Sequence, residues 1–404
     1  WSIPTLAEVQ SLLELDEVLI DYYEGTESIY ALVITKTDNH FVRINSAHKV
    51  RSLIGDYYDH ILTKKTTSKD TSTLSKRLYQ NIVAPLAPYL KERVIISPNG
   101  ILFQIPFAAL ETSSQMGDRH YMIYDHAISY TPSASFFYFM RKIKEEHKIR
   151  KALLVAPEFA LKGNGKKTIA MRSEYFPLKE NIHEVTAISN YFYRSELLKD
   201  SSATKSATLH NMSEADIIHF SSHAKSNKDA PEKSHMVFYQ KTGYEEEDYK
   251  LYFVDISERN IKAKMVVLSA CETNLGKIVK GEGAMSLANS FFYGGAQGVV
   301  ASLWLVDDQM AKELMSSFYT YLDKGFPKDL ALQKTQVDFL KEHDGVRSNP
   351  FFWSAFSVNG DTRPLHFRRP DFYLKWMLFG LVAVFFSLYL RRHLRNKASK
   401  NLLS

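Results

Sequence analysis

Four short runs constrain this fold most: ALLVA (152–156), IIHFS (217–221), MVVLS (265–269) and GVVASL (298–303). Each is apolar without alternation and rich in β-branched residues. That is the pattern of a strand covered on both faces, as in a parallel sheet with helices above and below. Helical stretches separate the runs, including 180–193 and 283–293. The helix after the last run is the clearest. Met310, Leu314, Phe318 and Leu322 recur every four residues, and Gly325 with Pro327 closes it. Strand and helix in alternation make this part an α/β sandwich.

Upstream the pattern is mixed. VLIDYY (18–23), IYALVIT (29–35), HFVRI (40–44) and VIIS (94–97) read as strands, and KKTTSKDTST (64–73) reads as a loop between two helices. AISYT (127–131) is a further strand, and Ser133 is placed to cap a helix after Pro132. The acidic run Glu245–Asp248 reads as a solvated loop or turn. No repeat of about 20–50 residues is present, so the chain is not itself a solenoid.

The 404 residues are 45% hydrophobic and 24% charged, which supports a large core and excludes a mainly disordered or coiled-coil chain. Cys271 is the only cysteine, so an internal disulfide framework and a multi-cysteine metal site are both excluded. LKGNGKKT (161–168) and KIVKGEG (277–283) lack the order of a phosphate-binding loop, and His183–Glu184 lacks the second His of a zinc helix. A helix surface accounts for that pair, and no cofactor is implied.

The net charge of +6 lies in the tail. Residues 363–404 hold nine Lys or Arg and one acid, Asp371, which leaves the body slightly acidic and argues against nucleic-acid binding. Within that tail, WMLFGLVAVFFSLYL (376–390) carries no charge, and Lys375 is the only charge from 372 to 390. Nineteen helical residues span about 28 Å, close to a hydrocarbon core. Tyr373, Trp376 and Tyr389 suit the interfaces, and Lys375 can snorkel. The alternative is a buried core helix, but the segment lacks a polar face and has basic clusters on both sides. The reading is a single-pass, C-terminal membrane anchor of undetermined orientation. The chain opens on Trp1, which suggests a fragment or processed product.

Ligands bind open parallel sheets beyond the carboxyl ends of the strands. His223 follows IIHFSS and Cys271 follows MVVLSA, so neighbouring strands would bring both into one crevice. A thiolate nucleophile needs a base in reach and backbone N–H groups for the oxyanion. Taken singly, a cysteine at a strand end is more often a small buried hydrophobe, and a histidine there an ordinary hydrogen-bonding side chain. The spacing of 48 residues with His first matches caspase-type enzymes, which carry His about 50 residues before an Ala-Cys pair. Spacing alone leaves both readings open.

The surrounding blocks resemble the CHAT domain, a caspase- and separase-like group of cysteine peptidases in the clan that includes gingipains. The resemblance rests on IIHFSSHA (217–224), MVVLSACETNLG (265–276), GEGAMSLANSFFYGGAQGVVASLWLVDD (281–308) and NPFFWSAFSVNGD (349–361), in that order. VIISPNGILFQIPFAAL (94–110) and ISYTPSAS (128–135) look like the first half of the same family. The resemblance implies a caspase-like α/β/α sandwich with a mostly parallel sheet. A non-catalytic caspase-like half would occupy 1–145 and a catalytic half 146–361. A basic linker (362–371), a transmembrane helix (372–390) and a basic tail (391–404) would follow.

It further implies His223 as general base and Cys271 as nucleophile of a thioester-forming endopeptidase. The backbone N–H groups of Cys271 and near Ala224 would form the oxyanion hole. Two positions depart from the family pattern: Ala224 and Asn274 stand where Gly is usual. Separases resemble the chain around Trp304–Asp308 and have an acid there that binds a basic P1 side chain. Asp308, then Asp307, are the candidates for that role. Otherwise both acids cap the helix from Gln309, with Asp308 paired to Lys312. The implied partners are a protein or peptide substrate, the membrane, and a tetratricopeptide-repeat region upstream, in a bacterial signalling or defence setting. A weakly active or inactive signalling scaffold is the alternative.

Overall fold

The structure is a computed structural model that describes residues 3–63, 69–112, 119–143, 148–159, 175, 177–227, 230–241, 243–269, 277–279, 283–285, 287–367 and 377–389. Eleven strands form one sheet: β1 (Glu17–Glu24), β2 (Ser28–Thr35), β3 (Asn39–Ser46), β4 (Arg93–Ser97), β5 (Ala127–Tyr130), β6 (Ala152–Pro157), β7 (Ser195–Asp200), β8 (Ile217–Ser221), β9 (Met265–Ser269), β10 (Gly298–Ser302) and β11 (Phe356–Gly360). Their order is β3-β2-β1-β4-β5-β11-β10-β9-β8-β6-β7. The ladders are parallel except for the β1–β2, β2–β3 and β10–β11 pairs.

The uninterrupted apolar runs have a direct cause. Along β8 and β9, Ile217, Met265 and Val267 enter one core while Ile218, Phe220, Val266 and Leu268 enter another on the opposite face. With no strand face left to water, nothing selects polar residues at alternate positions. After a short α1 (Leu6–Ser11), the first core also takes in α2 (Ala47–Leu62), while α5 (Asn181–Ser189) and α7 (Asp308–Asp323) pack over the second half. In α7 the expected stripe Met310, Leu314, Phe318 and Leu322 is buried, and Gly325 follows the C-cap at φ +86°.

Several boundaries differ from expectation. Helix α3 (Lys69–Ile82) starts inside the stretch expected to be a loop. The 283–293 stretch divides into a short strand, Gly283–Met285, paired with Lys277–Val279, and helix α6 (Leu287–Tyr293). The acidic run is a helical turn, Glu246–Tyr249, capped by Glu245 and tied by a Glu246–Lys250 ion pair at 2.8 Å. Helix α4 (Ala134–Lys142) does begin on Ser133, whose Oγ accepts from the Phe136 N–H.

At the tail, the described part of the expected span is a helix over 377–389, about 20 Å long at 1.5 Å per residue. Among the described residues no helix is long and apolar enough to cross a membrane, so a 372–390 span is not found; its flanks lie outside them.

The two halves meet where β5 pairs with β11 at Val358↔Ser129 and Asn359↔Tyr130. A buried charge network reinforces this short seam. Arg93 at the start of β4 forks onto Asp329 of α8 (Lys328–Glu342) at 2.7 and 3.2 Å, reaches Glu17 at 2.8 Å, and donates to Thr362 at 2.9 Å. Lys328 meets Asp361 at 3.1 Å, and Arg363 meets the other oxygen of Asp361 at 2.6 Å. Burial works against the Arg93 charge, and Asp329 and Glu17 overcome it. Replacing Arg93 with Ala leaves the buried Asp329 carboxylate without its cation, while Glu17 keeps Arg141 at 2.5 Å. We expect a loss of about 3–5 kcal/mol in chemical denaturation, larger than for Lys341→Ala, which breaks an exposed pair.

Candidate active site

The site begins with the β8–β9 ladder. Its last register pair is Ser221↔Ser269, so the chain leaves both strands at one level. His223 lies two residues beyond Ser221. Cys271 lies two residues beyond Ser269 in sequence, and it falls outside the described residues, as do Glu272 and Asn274.

His223 is 9% exposed. Its backbone carbonyl accepts from the Val237 N–H at 2.9 Å, and the Ser222 hydroxyl donates to the Val237 carbonyl. The imidazole sits between Phe159, edge-on at 4.6 Å between centroids, and Tyr175 at 5.5 Å. The Tyr175 hydroxyl is in turn 2.9 Å from His235 Nε2. Ala224 pairs with Met236 in a small antiparallel sheet. Among the described residues Asp200 is the only non-glycine with positive φ, so the Cβ of Ala224 brings no left-handed strain.

Beside this loop is a pocket with about 350 Å³ of empty space, its open mouth included. Ser221, Ser222 and Ser269 line it from the strand ends, Asn181 and Glu184 from α5, and Asp308 from α7. The two adjacent acids have separate tasks. Asp307 is the N-cap of α7, its Oδ1 accepting from the Gln309 and Met310 N–H groups at 3.1 and 3.4 Å. Asp308 Oδ2 accepts from the Lys179 and Glu180 N–H groups at 2.5 and 3.0 Å, which ties α7 to the start of α5. Its Oδ1 is buried and has no hydrogen-bond partner among the described residues. The expected Asp308–Lys312 pair does not form. Lys312 lies 2.7 Å from Glu180 and holds that carboxyl below its ordinary range.

Beneath the pocket is a feature the sequence reading missed. Glu184, expected on a helix surface, is 1% exposed, and its Oε1 lies 2.7 Å from His219 Nε2. His219 Nδ1 is 3.2 Å from the Tyr319 hydroxyl, which burial pushes well above its ordinary pKa. This chain joins α5, β8 and α7 under the pocket floor. The available signal was a histidine in the middle of the otherwise apolar IIHFS run, since a buried imidazole requires a partner.

Among the described residues the end of β8 thus brings an imidazole beside an acid-lined pocket. The fold is similar to that of a solved structure. The yeast Saccharomyces cerevisiae separase in its securin complex superposes with a TM-score of 0.55 at 9% identity, over 90% of this chain and 31% of that one. The Arg-specific cysteine proteinase gingipain R gives 0.43 at 11% identity, over 79% and 76%. Human tetratricopeptide repeat protein 28 is 27% identical over 106 residues, 26% of this chain and 4% of that protein. The chain thus spans less than a third of the separase chain and a small part of the human protein. The α/β fold with its large, mostly parallel sheet is similar to that of the separase structure. The CHAT domain model matches residues 72–361, most of the described body, and the chain belongs to the CHAT domain family.

Proposed function

We propose that the chain is a cysteine endopeptidase acting on a protein substrate through His223 and Cys271. The observation that carries this reading is the Ser221↔Ser269 register, from which the two residues follow at equal sequence distance. His223 takes the thiol proton, and the thiolate attacks the scissile carbonyl. The backbone N–H groups of Cys271 and near Ala224 stabilise the oxyanion. The amine leaves with the proton from the imidazole, and water hydrolyses the thioester.

Asp308 is assigned to the S1 pocket and Asp307 to the cap. In support, Asp308 Oδ2 is fixed by two N–H groups while Oδ1 is buried with no hydrogen-bond partner among the described residues. A basic P1 side chain supplies the missing partner, and a guanidinium does so better than an ammonium. Regulation by an adjoining repeat region is part of the reading, supported by the likeness to a human protein named for such repeats.

A peptide library varied at P1 tests the site. Cys271→Ala and His223→Ala should each lower kcat/KM by on the order of a thousandfold or more. Asp308→Asn should reduce the preference for Arg by about tenfold. Asp307→Ala should leave the P1 profile unchanged while costing about 1 kcal/mol of stability. Cleavage by Cys271→Ala at the parent rate would overturn the peptidase reading.

Membrane attachment through the 377–389 helix and its flanks is also proposed. The large apolar side chains of this helix are all more than half exposed, from Leu381 at 51% to Phe385 at 71%. A helix apolar on every side needs a nonaqueous neighbour. Removing residues from Phe372 onward should yield a protein that needs no detergent and keeps its activity. Release of the full chain from membranes by carbonate alone would contradict insertion.

A further inference from the structure

The blocks at 94–110 and 128–135 have no part in the site described above, yet they frame a larger opening. Beyond the carboxyl ends of β4 and β5, Ser97–Asn99 and Pro132–Ser133 border a pocket with about 940 Å³ of empty space, its mouth included. Its floor is the face of β1 and β2 that carries Asp21 and Tyr30. The opposite face, with Ile20, Tyr22, Ala31 and Val33, is packed in the first core. Farther along the same strands, Leu19 and Ile34 are covered by Val9, Leu13, Phe137 and Tyr138. The Asp21 end is left open.

Two properties define what this opening fits. The first is charge. Asp21 has no ion-pair partner among the described residues, whereas the neighbouring Glu24 is taken by Arg51 at 2.5 Å and the Ile101 N–H at 2.8 Å. Burial pushes the Asp21 carboxyl above its ordinary range, with the neighbouring Ser97 side chain working the other way. The second is the wall. Tyr30 and Phe41 stack with centroids 5.6 Å apart and planes 12° from parallel. Tyr23 and Phe41 remain 59% and 72% exposed. A partly desolvated carboxylate beside flat aromatic faces is the environment that holds a cation on an apolar stem.

We propose that this pocket is a docking site for an arginine or lysine side chain of a partner polypeptide, with the cation on Asp21 and the stem against Tyr23, Tyr30 and Phe41. Its cavity volume of about 390 Å³ is near the bottom of the range of about 300–1,000 Å³ for small-molecule sites, so one basic side chain occupies most of it and flanking residues lie at the open mouth.

The probe is a fluorescein-labelled Ala-Arg-Ala amide, compared with its citrulline counterpart, which keeps the shape and loses the charge. Binding is followed by fluorescence anisotropy on the full chain carrying Cys271→Ala and Asp308→Asn, so that the other pocket neither holds nor cleaves the probe. We expect saturable binding of the arginine probe, with citrulline at least about tenfold weaker. Asp21→Asn should impose a similar loss, and Phe41→Ala, at an exposed position, a loss of about two- to fivefold. Equal binding of the two probes overturns the proposal, as does binding indifferent to both substitutions. Agmatine competing as strongly as the unlabelled peptide would make the site one for small amines and overturn the polypeptide assignment. If Asp21→Asn fails to fold, the citrulline comparison and Phe41→Ala decide.

Discussion

Arg93 holds together what the sheet joins only briefly. The β5–β11 ladder contributes two register pairs, a thin connection for halves that share one core. The guanidinium meets Glu17 at the start of β1, Asp329 on α8 and Thr362 just past β11, so one planar fork fixes elements from both halves. Such a network is costly to desolvate. Asp329 keeps a raised carboxyl pKa through burial, despite Arg93 beside it. Its value is geometric more than energetic, since a misplaced seam would leave charges buried without partners. Gln336 adds neutral bonds to the Trp353 and Phe356 carbonyls, holding α8 over the start of β11.

The half that holds His223 depends on a second arrangement of buried polar groups. Asp308 pins the start of α5 to α7, and Glu184, one turn further along α5, reaches His219 on β8. Tyr319 closes the chain from α7. The pocket is therefore shaped by three elements whose relative positions are fixed by directional bonds as well as by packing.

How much of this the sequence disclosed follows from physical type. Two-faced burial leaves a local trace, so all four central runs were legible as strands, and the α7 stripe and Ser133 cap were too. Features set by distant partners were not. Lys69–Ser72 looks like loop because Thr and Ser favour turns, yet α3 is amphipathic and its buried face decides. Lys312 sits four residues from Asp308, the right spacing for a helical pair, but Asp308 was already engaged by two N–H groups and Glu180 lay closer. Glu184 resembles any helix-surface acid until β8 brings His219 beneath it. The strand-end placement of His223 was readable from the sequence; its aromatic neighbours Phe159 and Tyr175 come from segments with no periodicity to read.

Among the described residues the eleven-stranded sheet ends on two edge strands, β3 and β7. Each offers a row of free backbone donors and acceptors to any passing strand, and a sheet this wide could propagate from molecule to molecule. The edge strands carry their own deterrents. Arg43 on β3 is exposed, its Nε donating to the Ser28 Oγ of β2 at 3.1 Å, and Glu196 and Lys199 are exposed on β7, which ends on Asp200 at φ +53°. Pairing two such edges would press charges together or force a kinked terminus flat. The same strands that complete the sheet thus set the limit of its growth and keep a long β-surface from polymerising.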